Sequence, residues 1–146
     1  MKSSSRKKQI LRQADKLAES RDHWIEKNSF FYKNDHSYMQ FLVGDGKRVL
    51  ELGCGTGQLL NALNPSYGIG VDLSANMISV AQQNHPSLEF IQGDLEDEDF
   101  ISSLQGPFDF IILSDTIGYL EDCENALEGL HSLCTPDTRL IISYYL

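Results

Sequence analysis

Two features of the sequence can do chemistry together. The first is a glycine-rich turn, Gly53, Cys54, Gly55, Thr56 and Gly57, directly after the apolar run Val49 to Leu52. Alternate glycines permit positive φ angles and let a ligand approach the backbone with no Cβ in the way. A helix starting just after the turn aims its free amide groups at such a ligand. The second feature is Asp72, nineteen residues beyond Gly53 and at the end of the next apolar run, Tyr67 to Val71. A carboxylate at that distance from a glycine turn can accept hydrogen bonds from both hydroxyls of a ribose. Turn and carboxylate together point to a cofactor of the adenosine type. A dinucleotide fingerprint, G-x-G-x-x-G/A, wants glycine or alanine at position 58, where this chain has Gln58, and the third glycine comes one residue early. Nicotinamide chemistry is therefore disfavoured.

These residues must be held by regular elements, and the pattern from Lys47 onward supplies them. Short apolar runs predict strands at Arg48 to Gly53, Tyr67 to Asp72, Leu88 to Gln92, Phe108 to Ser114 and Arg139 to Leu146. Helical stretches separate them: one starting at Gln58, one capped by Ser74 and ended at Asn84-His85-Pro86, a short acidic one over 97–104, and one over 123–134. Strands separated by single helices cannot pair as hairpins, so they form parallel pairs through right-handed crossovers. The expected fold is a three-layer, doubly wound, mainly parallel α/β sheet, with ligands bound beyond the carboxyl ends of the strands.

Ahead of this domain, residues 1–46 read as a helical segment. Ile10, Leu11, Ala14, Leu17, Ala18, Trp24 and Ile25 make an amphipathic stripe, whose basic residues read as a solvated face. Asp35 is the expected N-cap of a second helix carrying Tyr38, Met39, Phe41 and Leu42. Of 146 residues, 41% are hydrophobic and 23% charged, which suits one globular domain. Seven of the twelve basic residues lie in the first 21 positions against two acids, leaving five basic and nineteen acidic residues in the other 125. A body that acidic repels phosphate backbones, so nucleic-acid binding is not expected, whereas a cationic ligand is attracted. No apolar run is long enough for a membrane span and no secretory signal opens the chain, which sets the expected location in the cytoplasm. Cys54, Cys123 and Cys134 show neither a disulfide framework nor zinc spacing and read as buried or half-buried thiols.

The motifs Val49 to Gly57, Gly70-Val71-Asp72-Leu73-Ser74, Gly93-Asp94-Leu95 and Phe108 to Ile112, in this order, resemble the class I S-adenosylmethionine-dependent methyltransferases. The resemblance covers residues 47–146 and implies a Rossmann-like methyltransferase fold with S-adenosyl-L-methionine as cofactor. It implies that Gly53, Cys54, Gly55 and Gly57 line the methionine and sugar portions, with Glu51 behind the turn. By the same resemblance Asp72 holds the ribose hydroxyls, Leu73 and Met77 flank the adenine, Asp94 and Leu95 reach its amino group, and Ser114 faces the methionine end. Methyl transfer from a sulfonium is an in-line displacement, so positioning an acceptor and excluding water are the main tasks. The expected acceptor is a small molecule. If a base is needed, Asp115, Tyr119 and His36 are the candidates. The acidic run Glu96 to Asp99 reads as a helix start, and no metal is expected. Phe30, Phe31, Tyr32 and Tyr38 either form a lid over the cofactor or pack the leading helix on the sheet. The family's sheet ends in an antiparallel hairpin after strand five, and that hairpin is missing here. A continuation of the chain or a second copy is expected to cover the strand-five edge. A catalytically silent cofactor-binding module is the alternative reading, with a nicotinamide oxidoreductase behind it.

Overall fold

The computed structural model describes residues 3–144. Two helices lead the chain, α1 (Ser5–Lys27) and α2 (Ser29–Val43). Five strands follow, β1 (Arg48–Leu52), β2 (Tyr67–Asp72), β3 (Glu89–Gln92), β4 (Phe110–Ser114) and β5 (Arg139–Ser143). Between them lie α3 (Gln58–Ala62), α4 (Ala75–Asn84), α5 (Glu98–Ser103) and α6 (Cys123–Gly129). The helix expected over 123–134 splits after Gly129 into a 3-10 turn, Leu130–Leu133. Glycine's weak helix propensity accounts for the break.

All strand pairs are parallel, in the order β3-β2-β1-β4-β5. Strands β1, β2 and β4 are apolar and buried along nearly their whole length, the signature of strands covered on both faces. On one face Val49, Phe90 and Ile112 pack with Leu59, Leu60, Ile78 and Ala81, and with Met39 and Val43 of α2. On the other, Leu50, Leu52, Ile69, Val71, Ile111 and Leu113 pack with Ile101, Leu130 and Leu133. This is the three-layer Rossmann-like methyltransferase architecture. Side chains cap four helix starts among the described residues: Ser4 accepts from the Lys7 amide, Ser74 from Met77, Asp97 from Phe100 and Asp122 from Asn125.

Several expectations need correction. Asp35 is not an N-cap: α2 runs unbroken from Ser29, with Asn28 at its cap position, and its inward stripe, Tyr32, His36, Met39 and Val43, continues through Asp35's turn. Phe30, Tyr38 and Phe41 instead face solvent, at 82%, 63% and 83% exposure. Lys7 is not on a solvated face but buried. Cys134 is exposed, whereas Cys54 is buried. Strand β5 ends at Ser143; Tyr145 and Leu146, the last positions expected for it, lie outside the described residues. Among the described residues β5 is an edge of the sheet, and its Leu140 and Ile142 are exposed.

Candidate functional site

The chain winds from β1 through β2 to β3, then returns to place β4 on the other side of β1. The crevice this reversal leaves at the strand carboxyl ends is where a doubly wound sheet binds ligands. A cavity of about 630 Å³ lies there, roofed by α1 and α2.

Its floor is the glycine turn. Gly53 has φ 80°, and a Cβ on it would lie 2.1 Å from Thr116 Oγ1. The Thr116 hydroxyl in turn reaches the carbonyls of Leu52 and Ser114, which ties the ends of β1 and β4 together. The Gly53 and Cys54 amides both donate to the Val71 carbonyl, at 2.7 and 2.9 Å, and the Gly55 amide donates to Asp72 Oδ2 at 2.9 Å. Three successive amides are thus committed to β2 and its end. Such a turn admits a ligand close to its backbone but does not offer the free amides that a pyrophosphate requires. This agrees with Gln58 in weighing against a dinucleotide.

Asp72 Oδ1 accepts from the Ser74 amide, so each carboxylate oxygen carries one backbone bond and keeps a lone pair for a ligand hydroxyl. Burial raises its pKa, against the pull of those two amides. Glu51 is 2% exposed, and its Oε1 has no hydrogen-bond partner. Desolvation pushes its pKa up to about 8. A buried carboxyl with an open acceptor in a cavity wall is suited to a cationic ligand group.

Leu73, Met77 and Leu95 supply apolar surface at the ends of β2 and β3, the side expected to receive adenine. Asp94 also lies there, but its Oδ2 is paired with Lys7 Nζ at 2.8 Å, and the same ammonium reaches Glu96 Oε2 at 2.7 Å. Glu96 Oε1 accepts from the Glu121 and Asp122 amides. Lys7 therefore ties α1 to the loops after β3 and β4.

On the far side of β1 stand Ser114, Asp115 and Tyr119 after β4, and α2 adds Tyr32, Asp35 and His36 to the cavity wall. The Tyr32 and His36 rings lie 6.3 Å apart. Burial lowers the His36 pKa, although the Asp35 charge raises it. Asp115 holds φ 53°, fixed by its amide donating to the Ser143 carbonyl.

The cavity thus gathers Glu51, Gly53, Cys54, Gly55, Asp72, Leu73, Met77, Asp94, Leu95 and Ser114, together with Asp115, Tyr119 and His36. Gly57 is outside the lining: a Cβ there would meet the Phe90 ring at 2.6 Å, so this glycine, at φ 82°, serves the packing under the turn. Of the aromatic stretch, only Tyr32 reaches the cavity.

A covering role for the leading segment was legible in the sequence, but the α1 residues that form the roof were not. Lys7, Ile10, Leu11, Ala14, Leu17 and Arg21 all line the cavity. Helix α1 is held there by Asp15, which accepts from Ser74 Oγ, and by Asp22, which accepts from Thr56, Gln58 and Asn84. The signal was present: Lys7 and Arg21 occupy positions of the apolar stripe, where a solvated helix would not place cations.

A sequence profile described as a methyltransferase domain matches residues 18–146. The chain is 30% identical over 106 residues to the malonyl-[acyl-carrier protein] O-methyltransferase of Halalkalibacterium halodurans, covering 68% of this chain and 39% of that protein. Streptomyces venezuelae DesVI superposes with a TM-score of 0.74 at 21% identity, covering 88% of this chain and 57% of the other. The N-methyltransferase NodS of Bradyrhizobium japonicum, solved with S-adenosyl-L-homocysteine, gives 0.66 at 21% identity, covering 77% and 61%. The chain spans between 36% and 58% of the length of the first curated relatives it matches.

Proposed function

Since the chain belongs to the methyltransferase domain family, we propose that it binds S-adenosyl-L-methionine in the cavity at the β1/β4 switch and transfers its methyl group to a small-molecule acceptor. The observation that carries this reading is the pairing of Asp72, with a free lone pair on each oxygen, with the unpartnered Glu51 Oε1 in one cavity. The first suits a ribose diol and the second an ammonium, and the cofactor has both. When bound, the cofactor supplies an electrophilic methyl on a sulfonium.

The chain's own residues do the rest. Asp72 fixes the ribose and, through Gly55, holds the turn against it. Glu51 takes the amino group of the methionine portion. Leu73 and Met77 flank the adenine, with Leu95 at its edge. Ser114 borders the methionine end, Tyr32 and the apolar stripe of α1 exclude water, and Asp115, Tyr119 and His36 are placed to accept a proton from the acceptor.

Calorimetry with S-adenosylhomocysteine, S-adenosylmethionine and NAD tests the assignment. Both sulfur compounds should bind and NAD should not. Asp72→Ala should weaken S-adenosylhomocysteine by about tenfold or more, the loss expected for two hydrogen bonds to a charged acceptor. Binding of NAD in preference to either sulfur compound, or an unchanged affinity in Asp72→Ala, overturns the reading.

A further inference from the structure

The two sides of the β1/β4 switch differ in charge. Six carboxylates line the cavity, Asp35, Glu51, Asp72, Asp94, Glu96 and Asp115, against two cations, Lys7 and Arg21. Lys7 is consumed by Asp94 and Glu96 on the β3 side. On the β4 side Asp35 and Asp115 face each other's field with only the Arg21 guanidinium opposing them. Asp115 follows β4, and Asp35 sits on α2 next to His36 and one turn beyond Tyr32. Asp115 lies across β1 from Asp72 and Leu73, and strands in a sheet are spaced about 4.8 Å apart, so it stands clear of the bed proposed for ribose and adenine, and the Asp35 charge acts on it there.

The field of Asp35 extends to Glu51, whose open oxygen is already given to the cofactor's ammonium, so the acidic pair is left without a cation of its own. The cofactor brings one net positive charge, which does not neutralise this surplus. A carboxylate acceptor would be repelled from it, and a neutral one would leave it unmatched. The tyrosine rings of Tyr32, Tyr119 and Tyr144 border the same space and offer π faces to a cation.

Resting on the methyltransferase reading above, we propose that the acceptor is a cationic amine, seated with its ammonium between Asp35 and Asp115 and its carbon body against Tyr32 and Tyr119. The ammonium gives one proton to the Asp115 carboxylate, which is exposed and passes it to solvent. Partial desolvation and the Asp35 charge raise the Asp115 pKa and so favour this transfer. The nitrogen lone pair of the resulting amine then forms the N–C bond as the methyl's C–S bond breaks, and sulfur keeps the electron pair. The product leaves as a methylated ammonium, so the charge held between the two carboxylates is the same before and after.

The test is a matched set of phenethylamine, 2-phenylethanol and 3-phenylpropionate, which present one apolar body with an ammonium, a hydroxyl and a carboxylate. Each is titrated into the protein with and without S-adenosylhomocysteine. Phenethylamine should bind at least about tenfold more tightly than either other compound. Asp35→Asn and Asp115→Asn should each weaken the amine about fivefold or more and leave the alcohol within about twofold. Asparagine tolerates the positive φ at position 115, so that variant tests charge without disturbing the fold. A preference for the carboxylate, equal or no binding of all three, or full amine affinity in both variants overturns the proposal. Failure of S-adenosylhomocysteine to bind strikes the cofactor reading instead, because the amine preference is also read on the protein without it.

Discussion

Glu51 offers the most direct test of the electrostatics at the strand ends. Its side chain is 2% exposed with one oxygen unpartnered, and desolvation raises its pKa from 4.5 to about 8. At pH 7 the cofactor-free protein then holds this carboxyl about nine-tenths protonated. An ammonium placed against it favours the anion and expels the proton, so S-adenosylhomocysteine binding at pH 7 should release about 0.9 proton per site. Isothermal titration in buffers of different ionisation enthalpy reads this number as the slope of apparent against buffer enthalpy. Affinity should fall about tenfold for each pH unit below 7, until the carboxyl of the bound state itself protonates. Glu51→Gln should abolish the slope and weaken binding, since the amide cannot become an anion. The sign for stability is the reverse. The folded pKa is raised, so this group's contribution is full below 4.5 and is lost as pH climbs through 8, a swing on the order of 5 kcal/mol before relaxation. Glu51→Gln should therefore gain on the wild type in chemical denaturation at pH 8 relative to pH 5. A zero proton count in the wild type, or an unchanged one in Glu51→Gln, refutes the reasoning.

The sheet and the floor of the site were legible because they are written in short-range terms. Buried parallel strands must be apolar on both faces, which makes β1, β2 and β4 conspicuous, and a turn such as the one at Gly53 tolerates no Cβ. The bed proposed for the cofactor follows from those constraints, because Asp72 and Ser114 sit at strand ends whatever else the chain does. The roof was not legible in the same way. In α2, hydrophobicity pointed alike to Phe30, Tyr32, Tyr38, Met39 and Phe41, but of these only Tyr32 and Met39 are on the face that meets the protein, with His36 and Val43, a face polar at the cavity and apolar only below it. In α1 the stripe was placed except for Trp24, which is exposed, and its packing on the body, through α4, was expected, but not that it also covers a cavity. Lys7 looked like one more surface lysine because its partners, Asp94 and Glu96, are almost ninety residues away in sequence. Asp94 itself, expected at the adenine edge, is held by that lysine, a competition no local pattern announces.

The remaining predictions concern what holds floor and roof in place. Gly53→Ala forces a Cβ to within 2.1 Å of Thr116 Oγ1 at φ 80° and should cost about 2–5 kcal/mol in urea denaturation, from the left-handed backbone and the clash together. Adding Thr116→Ala should restore part of that loss, and an undiminished stability in Gly53→Ala would refute the steric account. Lys7→Met removes the one cation shared by Asp94 and Glu96, whose side chains are 31% and 9% exposed. Because Asp94 can rehydrate and Glu96 keeps its two backbone amides, the cost should be about 1–3 kcal/mol rather than that of a fully buried pair. The pH profile separates lost charge from lost packing. Burial pushes the Glu96 pKa up, but the Asp122 amide, Lys7 and the Glu121 amide bring it net below 4.5. Its contribution is therefore present above 4.5 and lost as pH falls through the folded value. The gap between wild type and Lys7→Met should be widest near neutrality and narrow in acid, where Glu96 is protonated. A gap that stays constant from pH 7 to pH 3 would mean that Lys7 acts through its methylenes, and that the charge tie between α1 and the strand-end loops contributes nothing to closing the roof.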